Sequence, residues 1–173
     1  VGSGAERRRA ATLLYVLDTQ SGELLTKIPV EGPTSLRALT VNAAQTHVYV
    51  AYFERLARGS RCQVLRVDTR SDEVDRRFTC ALPTVHELAV DEGHGLLFAS
   101  CYHGRGWSLA VVSLPDGQLI GDFPSGETFL TPWRGHDPLL AASGGDTYTV
   151  WVFDVESIRT LHEPGARTGA PQG

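Results

Sequence analysis

The chain has 173 residues, 42% of them hydrophobic and 21% charged, with a formal net charge of −4. That balance is one ordinary globular domain, long enough to bury a core. It lacks the strongly basic footprint of a nucleic-acid binder, and no run approaches the ~20 apolar residues of a membrane span, so neither nucleic acid nor membrane is expected as a partner.

Residues 1–11, with Gly2, Gly4 and Arg7-Arg8-Arg9, carry no periodicity and are expected to form a solvated N-terminal tail. Residues 12–29 predict two strands around the turn Asp18-Thr19-Gln20-Ser21-Gly22-Glu23. Residues 36–79 predict four, over Leu36–Val41, His47–Phe53, Cys62–Asp68 and Val74–Thr79. The next four fall on Val85–Val90, Gly95–Cys101, Trp107–Ser113 and Gln118–Phe123, and residues 128–162 repeat the set, ending with a strand at Ser157–His162. Residues 163–173 are rich in Gly and Pro and read as a C-terminal tail.

A strand–Asp–turn–strand unit recurs along this order. It reads Leu14-Tyr15-Val16-Leu17-Asp18-Thr19, then Val64-Leu65-Arg66-Val67-Asp68-Thr69, Leu109-Ala110-Val111-Val112-Ser113-Leu114 and Thr149-Val150-Trp151-Val152-Phe153-Asp154. Spacings of 50, 45 and 41 residues, with alternating apolar strands and no helical pattern, predict an all-β β-propeller. One four-stranded sheet cannot bury both faces, whereas blades stacked around an axis bury them against each other. We label the strands of each blade A to D. The prediction amounts to about three and a half blades over residues 12–162. Propellers have four to eight, so the chain is expected to be part of a larger ring of about seven, or to have its open ends covered by another chain.

Leu39-Thr40-Val41-Asn42-Ala43-Ala44-Gln45-Thr46-His47-Val48-Tyr49-Val50-Ala51-Tyr52, leading to Val67-Asp68-Thr69, resembles a YVTN-type propeller repeat. Leu139-Leu140-Ala141-Ala142-Ser143-Gly144-Gly145-Asp146, leading to Val150-Trp151-Val152-Phe153-Asp154, resembles the last half of a WD repeat. Phe153 stands where a WD repeat has Trp, and Ser113 where the third unit should have Asp, so no complete His–Asp–Trp relay carries over. The resemblance implies the repeat fold and is nearly silent on activity. YVTN-type repeats also occur in propeller enzymes, which leaves a redox (quinoprotein-like) subunit or a metal-dependent hydrolase as the competing expectation.

No Gly-x-Ser-x-Gly elbow, phosphate-binding glycine loop, His-Glu-x-x-His or Cys-x-x-Cys is present, and no cofactor is expected. His47, His94 and His136 recur at the end of successive A–B loops. They are too far apart around a ring to share a metal and are expected to be solvated. His86-Glu87 opens strand A of the third blade without matching residues in its neighbours, and a structural role is expected. If Asp68 opposes Glu73, residue 62 opposes 79 and Cys80 turns to the other face. A slip of one residue in register would reverse this and allow a Cys62–Cys80 bridge, but Cys62, Cys80 and Cys101 are expected to be free, buried thiols in a reducing compartment, with the cytoplasm favoured.

The B–C connections stand out. Glu54–Arg61 is longer than a hairpin needs, and Tyr102-His103-Gly104-Arg105-Gly106-Trp107 carries two aromatics. B–C and D–A loops emerge on one face, so Arg55, Arg58, Arg61, His103, Arg105 and Trp107 are expected to form a surface for a protein partner. Trp133-Arg134-Gly135-His136-Asp137 is a weaker candidate on the opposite face. The expected function is a non-catalytic interaction scaffold or a subunit of a larger assembly.

Overall fold

A computed structural model describes residues 12–30, 34–104, 106–125, 128–132, 139–144 and 149–154. Among them every regular element is a strand: β1 (Thr12–Leu17), β2 (Leu24–Val30), β3 (Thr34–Val41), β4 (His47–Arg55), β5 (Ser60–Asp68), β6 (Glu73–Cys80), β7 (Thr84–Asp91), β8 (Leu96–Tyr102), β9 (Trp107–Ser113), β10 (Leu119–Ser125), β11 (Thr128–Pro132), β12 (Leu139–Gly144) and β13 (Thr149–Asp154). They form antiparallel sheets in the orders β1-β2, β3-β4-β5-β6, β7-β8-β9-β10 and β11-β12-β13. Within each sheet, sequential strands pair. The first strand of each full blade packs on the first strand of the next, β3 on β7 and β7 on β11, which places the A strands innermost. This is the blade arrangement of a β-propeller. The expected fourth-blade strand at Ser157–His162 lies outside the described residues, as do His136 and the Trp133–Asp137 segment.

Period-two alternation decides which blade each side chain joins. In β8, Leu97, Ala99 and Cys101 pack toward the preceding blade with Tyr49, Ala51, Val64 and Phe78. The intervening Leu96 and Phe98 pack toward the following blade with Leu130. In β4, Val50 and Tyr52 turn the other way, onto Val30 and Leu14 of the first sheet. The inner strand of the second blade is different. Leu39 and Val41 are 67% and 42% exposed, while their counterparts one blade on, Leu88 and Val90, are 4% and 6% exposed against the second blade. The first sheet has only its C and D strands among the described residues, so nothing there covers Leu39 and Val41 as β3 and β4 cover Leu88 and Val90.

The C–D turns follow one plan. Asp18 Oδ1 accepts the N–H groups of Gln20 (2.9 Å) and Ser21 (2.7 Å), and Asp68 Oδ1 those of Arg70 (2.8 Å) and Ser71 (3.1 Å). The third blade, with Ser113 at this position, moves the carboxylate into the turn, where Asp116 Oδ1 accepts from Gln118 N at 3.2 Å. Its backbone closes identically: Gly117 N donates to Ser113 O at 2.8 Å, as Gly22 N does to Asp18 O at 2.9 Å. These bonds favour the charged carboxylates, so all three pKa values lie below the usual range. The largest causes are the Ser21 N–H for Asp18, the Arg70 N–H for Asp68 and the Ser113 side chain for Asp116. The sign follows directly: a carboxylate whose pKa is lower folded than unfolded stabilises above the unfolded value, and the contribution is lost as pH falls through the folded one. Stability should therefore decline below about pH 4. The triple change Asp18→Asn, Asp68→Asn, Asp116→Asn should flatten that decline in urea unfolding, and an unchanged pH slope would contradict the assignment.

Bulges recur as well. The A–B pairing slips between Leu36 and Ala38 and again between Val85 and Glu87, so Arg37 and His86 are the extra residues at matching positions. The C–D pairing slips near Leu17, between Arg66 and Val67, and between Leu119 and Gly121. A bulge inserts one residue and re-aims the side chains beyond it.

Candidate functional site

The antiparallel order brings the B–C hairpins to the edge where the A strands begin, because Thr34 pairs with Glu54 and Thr84 with Tyr102. The connection in the second blade is shorter than the sequence suggests. Glu54 pairs with Arg61 and Arg55 with Ser60, leaving a four-residue turn, Leu56–Gly59, in which Leu56 N donates to Gly59 O at 3.1 Å. The apparent excess length is two strands that extend beyond their apolar alternation. Arg55, Arg58 and Arg61 are all exposed. Arg61 reaches back to Glu54 at 3.6 Å, whereas no carboxylate among the described residues pairs with Arg55 or Arg58. The bulge residue Arg37 stands over the Phe53 ring, 5.9 Å from its centroid.

In the third blade Tyr102 and Trp107 close the hairpin as a cross-strand pair, ring centroids 5.4 Å apart. The bulge residue His86 meets Trp107 edge-on at 4.6 Å, so the expected structural role of His86 is packing at this edge. Glu87 accepts the backbone N–H of Leu130 at 3.3 Å and ties the third blade to the fourth. Trp107 is half-buried, and Tyr102 is 40% exposed. His103 is pinned rather than free. Its Nε2 lies 2.7 Å from Ser108 Oγ and 3.3 Å from Asp122 Oδ2. Arg105 lies outside the described residues. At this edge the second blade thus carries Arg37, Arg55 and Arg58 and the third carries Tyr102 and Trp107, while Arg61 and His103 are engaged within their own blades.

A second constellation was invisible in the sequence. His47, expected to be solvated, is instead the hub of a network between the second and third blades. Its Nδ1 lies 3.1 Å from Glu92 Oε1, and its Nε2 lies 3.8 Å from Asp75 and 4.0 Å from Asp68. Glu92 also accepts from Asn42 Nδ2 at 2.5 Å and from the Tyr49 hydroxyl. Buried Asn42, the single asparagine, accepts the N–H groups of Thr46 (2.8 Å) and His47 (3.1 Å) through Oδ1. Arg66 binds Asp75 through Nε (3.0 and 3.1 Å) and Nη2 (2.7 Å). Burial, then the bond to Glu92, pushes the Tyr49 phenol up and keeps it a donor. His94 is likewise held, its Nδ1 2.8 Å from Asp91 Oδ2. A cleft of about 330 Å³ opens beside this network, lined by His47, Tyr49, Arg66, Arg76, Glu92 and their neighbours. Of the arginines here Arg66 pairs with Asp75, while Arg76 Nη2 donates to Pro115 O at 3.3 Å. Among the described residues no group of three His, Cys, Asp or Glu side chains is placed to hold a metal ion.

The cysteine register is corrected by the Arg66/Val67 bulge. Asp68 does oppose Glu73, but beyond the bulge Arg66 opposes Arg76 and Cys62 opposes Cys80 directly. The two share a face, in the same apolar cluster as Cys101. All three are free and buried, and burial pushes each thiol up to about 12.

No protein-family model matches the sequence. No curated protein matches it either. Solved structures do. The chain is similar to the Dos1 propeller, with a TM-score of 0.61 and 17% identity over 85% of this chain and 36% of that one. It is also similar to the β-propeller domain of Cps50 (Swd1) from Myceliophteria thermophila, with a TM-score of 0.58 and 17% identity over 83% of this chain and 47% of that one. The chain thus spans less than half the length of either. At this identity the likeness shows the fold alone: an all-β protein of β-propeller architecture.

Proposed function

We propose that the chain is a non-catalytic β-propeller module, of YVTN or WD-repeat type, that serves as a protein-interaction scaffold and presents its B–C edge to a protein partner. On this reading residues 12–162 are the blades of a larger propeller of about seven, flanked by tails at 1–11 and 163–173. Exposed Leu39 and Val41 are then the seat of the strands that complete the first blade. The observation that carries the reading is the B–C edge, where exposed Arg55 and Arg58 of the second blade lack carboxylate partners among the described residues and the third blade presents the Tyr102–Trp107 pair at the same edge. Arginine and aromatic side chains dominate the binding energy of protein interfaces. Arg105 and the engaged residues Arg61 and His103 belong to the same proposed surface.

Panning a random peptide library displayed on phage against the chain tests this. Selected binders should lose at least tenfold in affinity on Arg55→Ala/Arg58→Ala and change little on Asp72→Ala/Glu73→Ala at the opposite edge. Binders sensitive only to the second pair would overturn the assignment.

A further inference from the structure

The two edges of the blades carry opposite charge. At the A–B and C–D turns, Asp18, Asp68, Asp91 and Asp116 accept turn N–H groups, and Asp72, Glu73 and Glu92 add to them, with Arg70 the one arginine in those turns among the described residues. At the B–C edge the order is reversed. Arg37, Arg55, Arg58 and Arg61 stand there, Glu54 is engaged by Arg61, Glu87 accepts from Leu130 N, and Asp122 lies 3.3 Å from His103. A protein with a net charge of −4 therefore gathers exposed arginines at the B–C edge, while the opposite edge holds the turn carboxylates together with Arg66, Arg70 and Arg76. The acidic edge is explained by turn closure. Among the described residues no carboxylate pairs with Arg55 or Arg58.

We propose that the B–C edge takes an acidic segment of a partner protein, whose carboxylates meet Arg37, Arg55 and Arg58 while its chain lies against Tyr102 and Trp107. This deepens the reading above and rests on it. Guanidinium offers a planar fork of donors that matches a carboxylate in two parallel bonds. Arg37 already lies over the Phe53 ring, 5.9 Å from its centroid, which reduces the side-chain freedom lost on binding. The Tyr102–Trp107–His86 cluster supplies an aromatic step at the same edge of the next blade. The opposed charge of the two edges steers an anionic ligand toward the basic one and repels it from the other. A nucleic acid is a poorer fit, because a few arginines neutralise few phosphates while the acidic edge repels a long polyanion.

Fluorescence anisotropy of labelled peptides against the full chain tests the proposal. The probes are a 12-residue Asp/Glu-rich peptide carrying one leucine, the same peptide with Asn/Gln in place of Asp/Glu, a 12-nucleotide single-stranded DNA, and vesicles containing anionic lipid. The acidic peptide should bind and weaken several-fold between ~50 and ~300 mM salt, as exposed charges are screened. Arg55→Ala/Arg58→Ala should weaken it at least tenfold, Arg37→Ala several-fold, and Asp72→Ala/Glu73→Ala less than twofold. Arg37, Arg55, Arg58 and Glu73 are exposed and Asp72 is half-buried, and unfolding curves check that each variant folds. Equal binding of the neutral peptide, indifference to the arginines, or tighter arginine-dependent binding of DNA or vesicles would each overturn the proposal. If panned binders depend on Arg55 and Arg58 but are not acidic, the scaffold reading stands and this inference fails.

Discussion

Gly117→Ala is expected to cost about 3 kcal/mol of stability, against about 1 kcal/mol for Gly22→Ala. Both glycines sit at the same place in a C–D turn, with φ of +72° and +73°. That left-handed backbone alone costs an L-residue about 1 kcal/mol. The surroundings differ. A Cβ on Gly22 would meet nothing within 4 Å, whereas one on Gly117 would stand 2.4 Å from Thr79 O and 3.0 Å from the Phe78 ring of the neighbouring blade. The obstruction is backbone, which cannot rotate away, so the third-blade turn must lift off the second blade. The difference between the two variants, read from paired urea unfolding curves, isolates blade–blade packing from turn strain. Equal costs would mean that the turn of the third blade is not seated on β6.

Glu92→Ala should cost about 2–4 kcal/mol, more than a half-exposed turn carboxylate normally carries. The change removes the shared acceptor of Asn42 Nδ2 and Tyr49 OH and the partner of His47 at 3.1 Å. Asn42 and Tyr49 are both buried, so each is left with an unmet donor. Tyr49→Phe alone should cost about 1 kcal/mol, because it removes donor and demand together. The double variant should then fall short of the sum of the singles by about 1 kcal/mol. Strict additivity would show that the residues do not act as one network.

How much of this could be read in advance depends on the range of the interaction. Strands and turns were legible because the determinants are local: alternation in β4 and β8, and an Asp before a Thr/Ser/Gly turn at residues 18 and 68. The bulge at Arg66/Val67 was not, since one inserted residue leaves alternation intact on either side, and the Cys62 register failed for that reason. The His47 network was illegible because its partner Glu92 lies on another blade, and nothing in either segment announces the other. The strands of the second hairpin were drawn too short because Glu54, Arg55, Ser60 and Arg61 pair through their backbones while their side chains look like loop. Of the candidate surface, the position on one edge followed from topology. The engagement of Arg61 by Glu54 and of His103 by Asp122 required the structure.

Amide hydrogen exchange of the chain with and without a panned peptide tests whether the B–C edge is the partner surface. Added protection should fall on the hairpins at residues 54–61 and 102–107 and at the Arg37 and His86 bulges, with the turns at 18–23, 68–73 and 91–95 unchanged. Protection confined to those turns, with exchange at the two hairpins unaltered, would contradict the account.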